Sequence, residues 1–136
     1  MSRPDIKHEI IIVDQRFPKE DRLRTSAEFD LVFAGKCSVA DPNLVVYIAK
    51  NEVTHSRIGL VVSKKVGNAV HRNRWKRQLR AIFRTGKDRL PTGVDLVVIP
   101  RSRNHPTHSD LRRSVETLAR RAKNKLNKRN SAEQAS

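Results

Sequence analysis

The chain has 136 residues, with 29 Lys and Arg against 14 Asp and Glu and a formal charge of +15. Its longest uninterrupted apolar run, Leu44 to Ala49, is six residues, where a membrane span needs about 20. A single cysteine, Cys37, excludes a disulfide scaffold and suits a reducing cytoplasm, and the length argues for one domain.

In chain order, residues 1–16 read as an N-terminal extension. Ile10 to Val13 is either a short strand there or part of a disordered arm, and it is too short and too close to Asp5 and Glu9 for a secretory signal. Thr25 and Glu28 have capping-box spacing, which predicts a helix start that satisfies free amide donors. This helix carries Phe29, Val32 and Phe33 on one side and stops near Gly35, a residue suited to a left-handed turn. Cys37 lacks a local base and reads as an inert strand residue. Leu44 to Ala49 is a strand preceded by the turn signal Asp41-Pro42-Asn43. Arg57 to Ser63 is another, and Val94 to Ile99 a further one bounded by Pro91, Gly93 and Pro100. A helix from about Asn68 to Arg84 lies between these two strands. The last helix runs from about Ser109 to Leu126, on the spacing of Leu111, Val115, Leu118 and Ala122. Asn127 to Ser136 reads as a polar tail that frays. The sum is a small α+β domain with one sheet covered by helices.

The charge is unevenly placed. Residues 1–52 hold 8 basic and 9 acidic side chains, residues 53–87 hold 10 basic and none acidic, and residues 88–136 hold 11 and 5. A solvated face normally mixes both signs, so a carboxylate-free stretch of this length implies a polyanionic partner. On a helical wheel, Trp75, Leu79, Ile82 and Phe83 fall within one sector of about 100°, while Lys76, Arg80, Asn73, Arg84 and Arg77 fill the next. Arg72 falls inside the apolar sector and is expected in an irregular first turn, reaching outward. Between Asn68 and Arg84 there are five Arg and one Lys, and guanidinium planes bind phosphate through two bonds at once. An anionic membrane surface suits the helix less well, because its apolar stripe is what a small core needs. Nucleic acid is the better partner.

The run Val61 to Arg77, which reads VVSKKVGNAVHRNRWKR, closely resembles the signature of the bacterial ribonuclease P protein subunit. Arg22-Leu23 followed by Phe29 and Phe33, and the late strand Leu96 to Arg101, resemble that family too. The resemblance runs from about Phe17 to Leu126 and makes that span the RNA-binding domain, with residues 127–136 as tail. It implies a two-layer α/β sandwich in the order α-β-β-β-α-β-α, a small mixed sheet packed on helices. It also implies a left-handed β-α-β crossover through the Arg-Asn-Arg helix, where general rules favour the right-handed one. The implied function is that of a partner to a catalytic RNA, expected at one protein per RNA, which removes the 5′ leader of precursor tRNA with Mg2+ held mainly by RNA. The residues implied in RNA contact are Lys64, Lys65, Arg72, Asn73, Arg74, Lys76, Arg77 and Arg80.

Six aromatic residues are present. Phe29 and Phe33 stand one helical turn apart, a spacing that by itself reads as core, and Tyr47 lies on a strand. The resemblance implies that Phe29, Phe33 and Tyr47 line a cleft for the single-stranded leader, where stacking on any base is worth about 1–3 kcal/mol. Trp75 reads as core. No carboxylates converge as a two-metal nuclease site requires, so no catalytic or metal-binding residue is expected in the chain. His105 and His108, with Asp110 nearby, lack a further ligand for zinc and read as a solvated loop; His8, His55 and His71 read as single surface residues. The alternative from another class is a general RNA-binding or ribosome-associated protein without a processing role. One stoichiometric large RNA on copurification would favour the first reading, and ribosomal RNA the second.

Overall fold

The computed structural model describes residues 10–11 and 22–135. Phe17 and most of the N-terminal extension lie outside the described residues. The elements are β1 (Ile10–Ile11), α1 (Ser26–Ala34), β2 (Ser38–Ala40), β3 (Leu44–Lys50), β4 (Arg57–Val61), α2 (Ala69–Thr85), β5 (Val94–Pro100) and α3 (His108–Ala135). Short 3-10 turns at Lys64–Val66 and Lys87–Arg89 flank α2. From α1 onward the order is α-β-β-β-α-β-α, as the resemblance implies. β1 supplies an edge strand that pairs Ile10 with Val61 and Ile11 with Leu60.

The sheet order is β1-β4-β5-β3-β2. β4 and β5 are parallel neighbours joined through α2, and the other pairings are antiparallel, so the sheet is mixed. Strand alternation sorts the core into two clusters. Leu44, Val46, Ile48, Ile58, Leu60, Leu96 and Val98 point to one face, where α2 and α3 cover them with Trp75, Leu79, Phe83, Leu111, Val115 and Leu118. Val61 and Val97 point to the other face, where Leu23, Phe29, Val32 and Phe33 cover one part of it. Tyr47, Ala49 and Ile99 edge this second cluster and are only partly buried. The helix-covered sheet is the expected α/β sandwich, with α1 the one helix on the opposite face among the described residues.

Local chemistry sets the element ends. The Thr25 hydroxyl accepts from the Glu28 amide, and Glu28 Oε1 accepts from the Thr25 and Arg24 amides, completing the capping box. Asp41 Oδ1 accepts from the amides of Asn43 and Leu44, forming the turn into β3. Thr107 Oγ1 accepts from the Asp110 amide at the start of α3.

Three boundaries differ from expectation. Gly35 closes α1 in a right-handed conformation (φ −70°), and the left-handed residue is Lys36 (φ 54°). β4 stops at Val61 instead of Ser63, because Ser63 turns to cap the following 3-10 turn. α3 continues past Leu126 to Ala135 instead of fraying. Leu126 is its last core residue, but Asn127 to Ala135 contains no Gly or Pro, and an established helix propagates readily through such residues.

Candidate nucleic-acid interface

The basic helix is built by a compact entry. Ser63 Oγ accepts from the Lys65 amide at 3.1 Å, which starts the 3-10 turn and leaves Lys64 and Lys65 exposed. Gly67 follows at φ 135°, a conformation that L side chains rarely adopt, and a Cβ there would stand 2.8 Å from His71 Cβ. Asn68 then caps α2, its Oδ1 accepting from the His71 amide at 3.1 Å. This entry leaves the exposed Lys64 and Lys65 directly before the first turn of α2.

Along α2, Trp75, Leu79, Ile82 and Phe83 are buried, as the wheel requires. Asn73, Arg74 and Arg77 are exposed, and Arg72, Lys76 and Arg80 are half-buried at the margins of the cationic face. Among the described residues, none of Lys64, Lys65, Arg72, Arg74, Lys76 and Arg77 makes an ion pair. Arg72 Nε is enclosed with no hydrogen-bond partner. Burial pushes the Lys76 ammonium below the usual lysine range, and the neighbouring charges of Arg72 and Arg80 push it the same way. Crowded like charges of this kind raise the free energy of the isolated protein and gain most from an external anion.

Within the carboxylate-free stretch, Arg57 has a structural role. Arg57, at the start of β4, donates through Nε to Asp95 Oδ1 at 2.8 Å and through Nη2 to Asp95 Oδ2 at 2.7 Å. Its Nη1 reaches Glu28 Oε2 at 3.1 Å. Asp95 is the parallel register partner of Arg57, is buried, and also accepts from Asn51 Nδ2 at 2.9 Å. Burial alone would raise the Glu28 carboxyl, but the Arg24 and Thr25 amides and the charges of Arg57 and Arg24 hold it below its ordinary range. This cluster fastens the first turn of α1 to the β4–β5 pair. Sequence reasoning missed it; the available signal was the lone charge of Asp95 in an otherwise apolar strand.

Phe29 and Phe33 are fully enclosed between α1 and the sheet. The Phe29 ring lies so close over Gly59 that a Cβ there would meet it at 2.5 Å. Of the three aromatics assigned to a leader cleft, only Tyr47 is partly exposed. It packs edge-on against Phe33 with centroids 4.8 Å apart. Neither Phe29 nor Phe33 presents a ring face to solvent on which a base could stack.

His105 departs from the solvated loop expected of it. Its ring lies over Trp75, with centroids 4.4 Å apart and planes tilted by 37°. Burial pushes its pKa down and a contact with the Pro106 carbonyl oxygen opposes this, while the nearby charges of Arg74 and His71 act with burial. The β5–α3 loop thereby covers the first buried residue of α2.

Among the described residues no three His, Cys, Asp or Glu side chains gather as a metal site, and no helix is long and apolar enough to cross a membrane. The family model described as Ribonuclease P matches residues 17–123. The ribonuclease P protein component of Thermotoga maritima is 42% identical over 89 residues, 65% of this chain and 76% of that protein. Its counterpart in Exiguobacterium sp. is 39% identical over 105 residues, covering 77% of this chain and 92% of the relative. Among solved structures, the T. maritima ribonuclease P protein superposes with a TM-score of 0.68 at 37% identity, over 74% of this chain and 96% of that one. The Staphylococcus aureus protein gives 0.68 at 36%, over 76% and 95%. With a family model matching residues 17–123 and a relative 39% identical over 77% of this chain, this protein, with its cationic helix, is a member of the ribonuclease P protein family.

Proposed function

We propose that the chain binds the catalytic RNA subunit of ribonuclease P through the cationic face of α2 and guides the 5′ leader of precursor tRNA along the partly exposed margin of the sheet at Tyr47, Ala49 and Ile99. One observation carries this reading. Six basic residues at and before α2 have no acidic partner among the described residues, and RNA phosphates supply the missing charge. Lys64, Lys65, Arg72, Arg74, Lys76, Arg77 and Arg80 would neutralise phosphates, with Asn73 as a neutral hydrogen-bonding neighbour. Tyr47 would stack on a leader base without reading its identity.

No residue of the chain is assigned a bond-breaking role. Magnesium in this account is held by the RNA, and the protein lowers phosphate repulsion around it, which favours occupancy at low ion concentration. Reconstitution tests the reading: cleavage of precursor tRNA is compared for RNA alone, protein alone and both together at low magnesium. Efficient cleavage only with both components is expected, and cleavage by RNA-free protein would overturn it. In the same system Tyr47→Ala should weaken precursor binding by about 1–3 kcal/mol while leaving mature tRNA unaffected. Equal losses for both substrates would remove Tyr47 from the leader path.

A further inference from the structure

The cationic surface does not end with α2. Past its C-terminus, the 3-10 turn Lys87–Arg89 leads to Leu90 and Pro91, which lie against α3. A pocket of about 340 Å³ opens between them, lined by Arg89, Leu90, Pro91, Glu116, Arg120 and Lys123, with Asn124 at its edge. That volume falls within the usual range for small-ligand pockets, about 300–1,000 Å³. Three cations from two separate elements converge on it. Arg89 has a loose partner, Glu116 Oε2 at 3.5 Å, and this oxygen is enclosed without a hydrogen bond. Arg120 and Lys123 make no ion pair among the described residues. Leu90, itself buried, and Pro91 give the pocket an apolar wall.

These groups match the parts of one ribonucleotide. A free phosphate would use the cations and leave the apolar wall idle, and it would be repelled by Glu116. A nucleotide can turn its phosphate toward Arg120 and Lys123, lay its ribose on Leu90 and Pro91, and offer its 2′-hydroxyl to the other oxygen, Oε1, of the partly exposed Glu116 side chain. The 2′-hydroxyl is the group that separates RNA from DNA at such a site.

We propose that this pocket is a second RNA-docking site, which takes one unpaired nucleotide of a bound RNA. The inference rests on the reading of the chain as an RNA-binding partner. Because α2 has 17 residues and spans about 25 Å, its capped N-terminus and the turn that leads to the pocket stand at opposite ends of the helix. An RNA that engages both ends gains from the linkage of the two contacts.

The test uses the full chain, ribonuclease P RNA, and a single-stranded oligonucleotide in RNA and DNA forms, with affinities measured over a range of salt. In Arg120→Gln/Lys123→Gln the slope of log affinity against log salt should flatten by about 0.7 for each single-strand phosphate no longer neutralised. Thermal unfolding should stay unchanged. The RNA-over-DNA preference of the oligonucleotide should shrink in Glu116→Ala. An unaltered salt slope, or a preference that Glu116→Ala leaves intact, overturns the nucleotide site. Arg74→Gln/Arg77→Gln is the control: if it flattens the slope while the α3 variant does not, only this inference fails. If neither variant changes binding, the interface on α2 fails as well.

Discussion

Arg57 and the α2 residues Arg74 and Arg77 come from the same carboxylate-free stretch of sequence, yet the fold treats them in opposite ways. Arg57 is met in space by Asp95 and Glu28, which arrive from β5 and α1 and close a three-way charge cluster. Arg74 and Arg77, one turn apart on an exposed face, meet no carboxylate among the described residues. The contrast teaches that acid-poor sequence is not equivalent to acid-poor surface. A cation whose partner is supplied by another strand holds the fold together. A cation that folding leaves unpaired is available to a partner molecule.

Charge reversal on the open face should produce the largest effect. Arg74→Glu/Arg77→Glu should lower affinity for the catalytic RNA by at least about 100-fold at moderate salt, as phosphate contacts turn repulsive. Stability should move by no more than about 0.5 kcal/mol, as for most surface changes. Arg57→Ala should do the reverse. It strands the buried Asp95 carboxylate and should destabilise the fold by about 2–3 kcal/mol in chemical denaturation, with RNA affinity of the folded protein unchanged. A strong loss of RNA binding without loss of stability would place Arg57 in the interface and erase the distinction.

A smaller effect lies at the border of the two regions, where His105 rests on Trp75 beside Arg74. The folded state favours neutral His105, so the unfolded chain takes up its proton first as pH falls. Stability should be at its full value above the ordinary histidine pKa of about 6.5, then decline as pH drops through that value toward the lower folded one. His105→Gln should flatten the decline between about pH 7 and pH 5, measured by denaturation, and an unchanged profile would show that other groups cause it.

Much of this arrangement is legible in residue order because it is local. The Thr25–Glu28 box, the Asp41 turn, the Asn68 cap and the apolar stripe of α2 each depend on residues within a few positions of one another. The exposed cations of α2 are legible for the same reason, since helical periodicity alone puts Trp75 inside and Arg74 outside. What sequence order conceals is long-range. Arg57 and Asp95 meet through strand register, His105 reaches Trp75 through a loop 30 residues away, and Phe29 is enclosed because Gly59 on β4 leaves room for its ring. The end of α3 was hidden for another reason: apolar periodicity reports burial, and the helix outlasts its buried face.

The central claim is that unpaired charge on α2 releases counterions from RNA. Its most direct test is the affinity of the unmodified chain for the catalytic RNA across a salt series. Six or seven neutralised phosphates should give a log–log slope of about −4 to −6. A slope shallower than about −1 would contradict the account, because it would mean that the helix meets its partner through something other than phosphate.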